Sequence, residues 1–74
     1  MIEIDYNDIN NDGLTRFLLE DATNLTVGQS VYAHQPEDGT YTDAIVETLQ
    51  YERGYGYLSV DWAAIRDYDF PVVV

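Results

Sequence analysis

The chain has 74 residues, of which 46% are hydrophobic and 14% aromatic. This length allows one small domain with one core and excludes a second core. The chain has no cysteine, which excludes disulfides and thiolate metal sites, and its single histidine excludes a multi-histidine zinc site.

The charge is strongly acidic. Fourteen Asp and Glu residues oppose three Arg, there is no lysine, and the formal net charge is −11. Phosphate backbones and anionic membrane surfaces repel such a chain, so we expect neither direct nucleic-acid binding nor membrane binding. A basic partner or a cation is one explanation of the acidity, and solubility alone is the other.

Nothing in the sequence resembles a targeting segment. No apolar run approaches the ~20 residues that a bilayer-spanning helix needs. The acidic N-terminus, MIEIDYND, lacks the basic-then-apolar pattern of a secretory signal. We therefore expect a cytoplasmic protein.

The first elements are predicted to be a short strand and a helix. Ile2, Ile4 and Tyr6 alternate with acidic residues, which indicates a short edge strand, and turn-forming residues follow from Asn7 to Gly13. Residues 14–22 are predicted to form a helix, because apolar residues recur at helical spacing after Asn and Asp residues that can cap its first turn. A helix this short must pack on the strands that follow.

Residues 27–62 are predicted to form three consecutive strands. The connections are Pro36-Glu37-Asp38-Gly39 and Glu52-Arg53-Gly54, both typical of tight turns. Alternation along the strands assigns the side chains to two faces. On the first strand, Val31 and Ala33 face one way and Tyr32 and His34 the other. On the second, Ala44 and Val46 face one side and Ile45, Glu47 and Leu49 the other. On the third, Leu58, Val60 and a core Trp62 share one face, and Tyr57, Ser59 and Asp61 the other. A single helical turn over residues 63–66 and a last short strand over residues 72–74 complete the prediction.

One segment has the beginning of a calcium loop. Asp8, Asn10, Asp12 and Gly13 match the opening D-x-N-x-D-G of an EF-hand, in which spaced oxygens surround the ion. The match then fails, because Leu19 stands where a bidentate Glu is required. The simpler interpretation is an Asn- and Asp-rich turn that caps the predicted helix, so we expect no metal and no other cofactor.

The aromatic residues near strand ends form a second candidate site. Their rings, beside the carboxylates of Asp38, Asp43 and Asp61, suit a cationic group through cation–π and Coulomb attraction. Cross-strand aromatic pairs that only stabilise the sheet are the alternative. No nucleophile elbow, phosphate loop or metal motif surrounds His34 or Ser30, and we expect no enzyme.

Residues Val27 to Arg66 resemble Tudor and Agenet domains. The matching runs are V-G-Q-S-V-Y-A from Val27, D-G-T-Y-T-D-A-I-V from Asp38, and the aromatic third strand followed by Ile65-Arg66. The resemblance implies a mainly β (α+β) fold: a small SH3-like barrel of about five strands, preceded here by the short strand and the helix. Residues 1–74 would be one domain, with the N-terminal strand and helix in residues 1–26 and the barrel in residues 27–74.

The resemblance also implies a binding site at one mouth of the barrel. In that family, aromatic side chains and an acidic residue often receive methylated lysine or arginine, or a basic peptide. The matching positions are Tyr32 and Tyr41, with Tyr57 as a third.

Three functions remain open from the sequence. The first is a non-enzymatic module that binds a basic protein or peptide through Tyr32, Tyr41, Tyr57, Asp38, Asp43 and Asp61. The second is a DNA-mimicking inhibitor, as in small phage or mobile-element proteins, whose carboxylates block a nucleic-acid-binding protein. The third is an assembly subunit that pairs its edge strands with another chain, in an oligomeric state that the sequence does not define.

Overall fold

The computed structural model describes residues 2–21 and 24–67, whose strands form one small curled sheet, a half-barrel. The strands are β1 (Ile2–Glu3), β2 (Thr15–Leu18), β3 (Ser30–Gln35), β4 (Thr40–Gln50), β5 (Tyr55–Val60) and β6 (Arg66–Asp67). Two short 3-10 turns, η1 (Leu19–Asp21) and η2 (Trp62–Ala64), follow β2 and β5. The mainly β prediction is confirmed, and the curled sheet is consistent with an SH3-like barrel.

The strand order in the sheet is β1-β3-β4-β5-β2, and β6 pairs with the start of β4. Strand β1 runs parallel to β3, and all other pairings are antiparallel. Strands β1 and β2 therefore form the two edges of the curled sheet.

The three predicted central strands and both of their turns are present. Gly39 and Gly54 adopt φ values of +64° and +79°, which favour glycine, and their N–H groups donate to Pro36 O and Gln50 O. The predicted helical turn over residues 63–66 is the 3-10 turn η2, one residue earlier. The predicted strand over residues 72–74 lies outside the described residues.

The predicted helix over residues 14–22 is wrong, because the described part of the chain contains no α-helix. Thr15 and Phe17 are buried while Arg16 and Leu18 are exposed, which is the alternation of a strand. The turn before β2 favours this outcome, because Asn10 Oδ1 accepts hydrogen bonds from the N–H groups of Asp12 and Leu14. The edge of β5 then supplies partners for the backbone of β2, which an isolated short helix would lack.

The core lies on the concave face of the sheet and is formed by side chains from five strands and the residue after β1. Its buried hydrophobic members are Ile2, Ile4, Phe17, Ala33, Ala44, Val46, Leu58 and Val60. The predicted facing of β3, of the first half of β4 and of β5 up to Val60 is therefore confirmed.

Two residues face differently from the prediction. The β4–β5 register shifts between Val46 and Thr48, so that Glu47 is one residue more than β5 has opposite it. Beyond this shift, Leu49 packs against the core instead of facing outward. Trp62 is 41% exposed and begins η2, because Asp61 caps this turn and ends the strand alternation. Its ring meets that of Tyr6 edge-on, with centroids 5.6 Å apart.

No helical segment within residues 2–21 and 24–67 has the length and apolarity needed to cross a membrane.

Candidate partner-binding site

Two of the three predicted tyrosines meet on the outer face of the sheet. Tyr32 lies opposite Asp43 in the β3–β4 register, and Tyr41 is the next outward residue before Asp43 on β4. The Tyr32 and Tyr41 rings meet edge-on, with centroids 6.0 Å apart and planes at 78°. We call Tyr32, Tyr41 and Asp43 the tyrosine mouth.

The tyrosine mouth already holds a cation of the same chain. Strand β6 places Arg66 opposite Tyr41, with the guanidinium carbon 4.5 Å from the centre of the Tyr41 ring. Arg66 Nη2 lies 3.3 Å from Asp43 Oδ1 and Nη1 lies 3.4 Å from Asp43 Oδ2, while Nη1 also donates to Ala64 O. The hydrogen bonds to Asp43 and then to Tyr41 raise the pKa of Arg66 above its ordinary value, so the guanidinium stays charged.

A groove of about 420 Å³ adjoins the mouth across β3, β4 and β5. Tyr32 and Asp43 line it together with Ile45, Ser59 and Asp61. The Tyr32 and Ile45 side chains are 54% and 44% exposed, so a partner can reach both apolar surfaces. The groove thus combines apolar surface with two carboxylates, a combination that fits a side chain with an aliphatic stem and a cationic end.

The structure does not bring Tyr57 and Asp38 into the mouth. Tyr57 packs edge-on against Tyr55 on β5, where the Arg16 guanidinium lies 5.8 Å from the Tyr55 ring centre. Asp38 lies in the β3–β4 turn and accepts a hydrogen bond of 2.8 Å from the buried Gln35. Asp61 lines the groove, and its carboxylate also caps η2 by accepting from the N–H of Ala63.

Two of the candidate ligands of the calcium-like segment, Asp8 and Asn10, use a side-chain oxygen in contacts of the turn before β2. Asp8 Oδ2 lies 2.9 Å from Nε of Arg16, and Asn10 Oδ1 accepts from two backbone N–H groups, one of them of Asp12. Within residues 2–21 and 24–67, no group of three or more His, Cys, Asp or Glu side chains is placed to hold a metal ion.

Arg66 is the residue of this site that the sequence did not single out for binding. In the sequence it belongs only to the Ile65-Arg66 match, and nothing in its neighbours along the chain indicates a contact with Asp43, 23 positions earlier. The scarcity of cations is the one available signal, because any of the three arginines in so acidic a chain is expected to have acidic neighbours.

No family model, curated protein or solved structure matches the chain.

Proposed function

We propose that the protein is a non-enzymatic interaction module of the Tudor-like type, which binds a basic segment of another protein at the tyrosine mouth and its adjoining groove. The partner would place an arginine or lysine side chain beside Tyr32 and Asp43, with its aliphatic stem on Ile45. The remaining carboxylates would attract the partner over a longer range and set the rate and salt dependence of association.

The position of Arg66 is the observation that carries this proposal. A guanidinium lies on the face of Tyr41 and within hydrogen-bond distance of both carboxylate oxygens of Asp43. Stacking on an aromatic face and paired hydrogen bonds to a carboxylate are the two ways in which proteins usually hold arginine. The site therefore has the chemistry to bind a basic side chain, with one intramolecular example already in place.

The exposed side of the mouth leaves room for a second cation. Tyr32 remains 54% exposed although its ring contacts Tyr41, and the Asp43 side chain is 54% exposed although it pairs with Arg66. Asp61 lines the same groove from β5. A cation from a partner could therefore bind between Asp43 and Asp61 or replace Arg66.

Calorimetric titration with a basic peptide of repeated Arg-Gly units tests the proposal. We expect Tyr32→Ala and Asp43→Asn each to weaken binding by about fivefold or more, because aromatic and paired charged residues at an interface centre typically contribute over 1 kcal/mol each. Tyr51→Ala and Glu52→Gln are matched controls in the β4–β5 turn, where Tyr51 is 69% exposed, and should change affinity by less than about twofold.

Equal binding by Tyr32→Ala and the native chain would refute the tyrosine mouth. The DNA-mimicking function would be favoured instead if the affinity depended steeply on salt and any set of Asp and Glu substitutions reduced this dependence. In that case, tyrosine substitutions would leave the affinity unchanged. Self-association that Tyr32→Ala leaves unchanged would favour the assembly subunit.

A further inference from the structure

The two edges of the curled sheet face a common groove of about 330 Å³, on a different part of the molecule from the tyrosine mouth. Glu3 and Ile4 line the groove at the β1 edge, and Phe17 and Leu18 line it at the β2 edge. Pro36 and Glu37 of the β3–β4 turn line it as well. We call it the edge groove, and within the described part of the chain no strand joins β1 to β2 across it.

The backbone of β1 has its free side at this groove. Ile4 N–H donates to His34 O at 2.8 Å, so the polar backbone groups of Ile4 point toward β3. Successive residues of a strand direct these groups to opposite sides. The N–H and C=O of Glu3 therefore point away from β3, which is the direction in which a further strand would pair.

The backbone of β2 has the same property at Leu18. Arg16 N–H donates to Asp8 O, away from β5, whereas Leu19 N–H donates to Gly54 O on the side of β5. By alternation, the N–H and C=O of Leu18 point away from β5. Within residues 2–21 and 24–67, Glu3 and Leu18 thus present strand edges without a backbone partner from the two ends of one sheet. Such edges are templates for pairing with another chain.

The charge around the edge groove selects the kind of chain that fits. Among the described residues, Glu3, Asp5, Asp8 and Glu37 line it with one cation, Arg16, which is paired with Asp8 at 2.9 Å. Glu3, Asp5 and Glu37 have no ion-pair partner within the described part of the chain. Exposed apolar surface beside these carboxylates comes from Leu18, which is 45% exposed, and from the exposed Pro36.

We propose that the edge groove accepts an extended basic segment of a partner protein by strand addition, so that the added strand pairs with β1 or β2 and closes the barrel. Side chains of the added strand alternate between two faces. One face would lay apolar residues on Leu18, and the other would direct lysine or arginine toward Glu3, Asp5 and Glu37. This site is independent of the tyrosine mouth and does not rest on the function proposed for it.

A peptide of alternating lysine and valine, blocked at both ends, tests strand addition in an NMR titration. We expect the amide signals of Glu3 and Leu18 to shift most. The same peptide N-methylated at every second residue loses the donors on one edge and should bind at least about tenfold more weakly. Equal binding by the methylated peptide would overturn the proposal.

Charge-matched variants test the recognition of basic residues. Glu3→Gln with Glu37→Gln should weaken binding of the unmethylated peptide by about three- to tenfold, since each exposed ion pair contributes modestly. Glu47→Gln with Glu52→Gln removes the same charge at residues that do not line the groove and should have less than about a twofold effect. Equal losses of peptide affinity in the two double variants would mean that the net charge of the chain attracts the peptide without a defined site, which would contradict the proposal.

Two further outcomes would also refute the proposal, in favour of another occupant or another site. Loss of peptide binding in Tyr32→Ala would place the peptide in the tyrosine mouth. A molecular mass that rises with concentration in the absence of peptide, and that the peptide lowers, would mean that a second copy of the chain fills the edge groove.

Discussion

Under the proposed function, Arg66 has two roles that oppose each other. Its guanidinium joins β6 to β4 through Tyr41 and Asp43, and it fills the position that a basic partner would occupy. A partner that uses the same ring face must first displace it, which reduces the observed affinity by the cost of that displacement. If the proposed function holds, Arg66 competes with the partner from within the chain.

Replacing Arg66 tests this competition. Arg66→Gln should bind the Arg-Gly peptide about threefold or more tightly than the native chain, because the ring of Tyr41 and the carboxylate of Asp43 become available. Arg53→Gln is the matched control, since it removes the same charge at the β4–β5 turn, where Arg53 donates to the Tyr55 hydroxyl. Equal gains in the two variants, measured by calorimetry, would show that net charge alone is responsible.

The pairing of β2 with β5 depends on a close contact between two elements. Gly56 lies opposite Phe17, and a Cβ atom at Gly56 would come within 2.8 Å of Phe17 Cε1 and 2.5 Å of the Thr48 carbonyl oxygen. The Phe17 ring is 2% exposed and cannot move away without disturbing the core. Strand β5 therefore needs glycine at this position for the ring to pack directly against its backbone.

Gly56→Ala should lower the free energy of unfolding by about 1–3 kcal/mol, because overpacking forces the backbone and the Phe17 ring apart. Denaturant unfolding followed by Trp fluorescence measures this loss. In a Phe17→Leu background the loss should be smaller, since the ring atoms of the clash are gone while the Thr48 carbonyl remains. An unchanged loss in that background would contradict the ring contact.

Patterns between residues close in the chain were enough to predict the three central strands. Alternation and turn residues were enough for β3, β4 and β5, and the resemblance placed Tyr32 and Tyr41 at one site. The helix was predicted wrongly because Leu14, Phe17 and Leu18 satisfy a helical spacing and the true strand has only four residues, too few for alternation to be distinctive. The register shift at Glu47 and the cap at Asp61 left no strong signal, so the facing of Leu49 and Trp62 was predicted wrongly.

The contacts that create the two candidate sites were beyond such patterns. Arg66 reaches the tyrosine mouth because β6 pairs with the start of β4. The edge groove exists because β1 and β2 are the outermost strands at the two edges of one sheet. Both depend on which distant strands become neighbours, and alternation within a strand carries no information about that choice.

For the molecule as a whole, the net charge of −11 is a source of repulsion that few ion pairs offset. Arg16 pairs with Asp8 and Arg66 with Asp43, and both pairs are largely exposed. Exposed ion pairs contribute little to the stability of the folded state. The remaining carboxylates repel one another more strongly in the folded state than in the expanded unfolded chain. The folded state should therefore be more stable when added salt screens this repulsion.

Thermal unfolding in NaCl tests this expectation. Between about 0.02 M and about 0.5 M NaCl, the Debye length falls from roughly 20 Å to roughly 4 Å. A gain on the order of 1 kcal/mol would raise Tm by about 4–8 °C for a domain of this size. The double variant Glu47→Gln with Glu52→Gln should gain less from salt, and a Tm that falls with NaCl would contradict the expectation.

The parallel pairing of β1 with β3 has a consequence for the order in which the protein folds. Ile2 lies opposite Ala33 and Glu3 opposite His34, so these contacts close a chain segment of about 30 residues, whereas β3–β4 and β4–β5 are joined by short turns. Contacts between distant residues form late, since their loop entropy is lost before they stabilise the chain. We expect the β3–β4–β5 meander to form first and β1 to dock last, so that in native-state hydrogen exchange the Ile4 amide becomes accessible before those in the middle of β4.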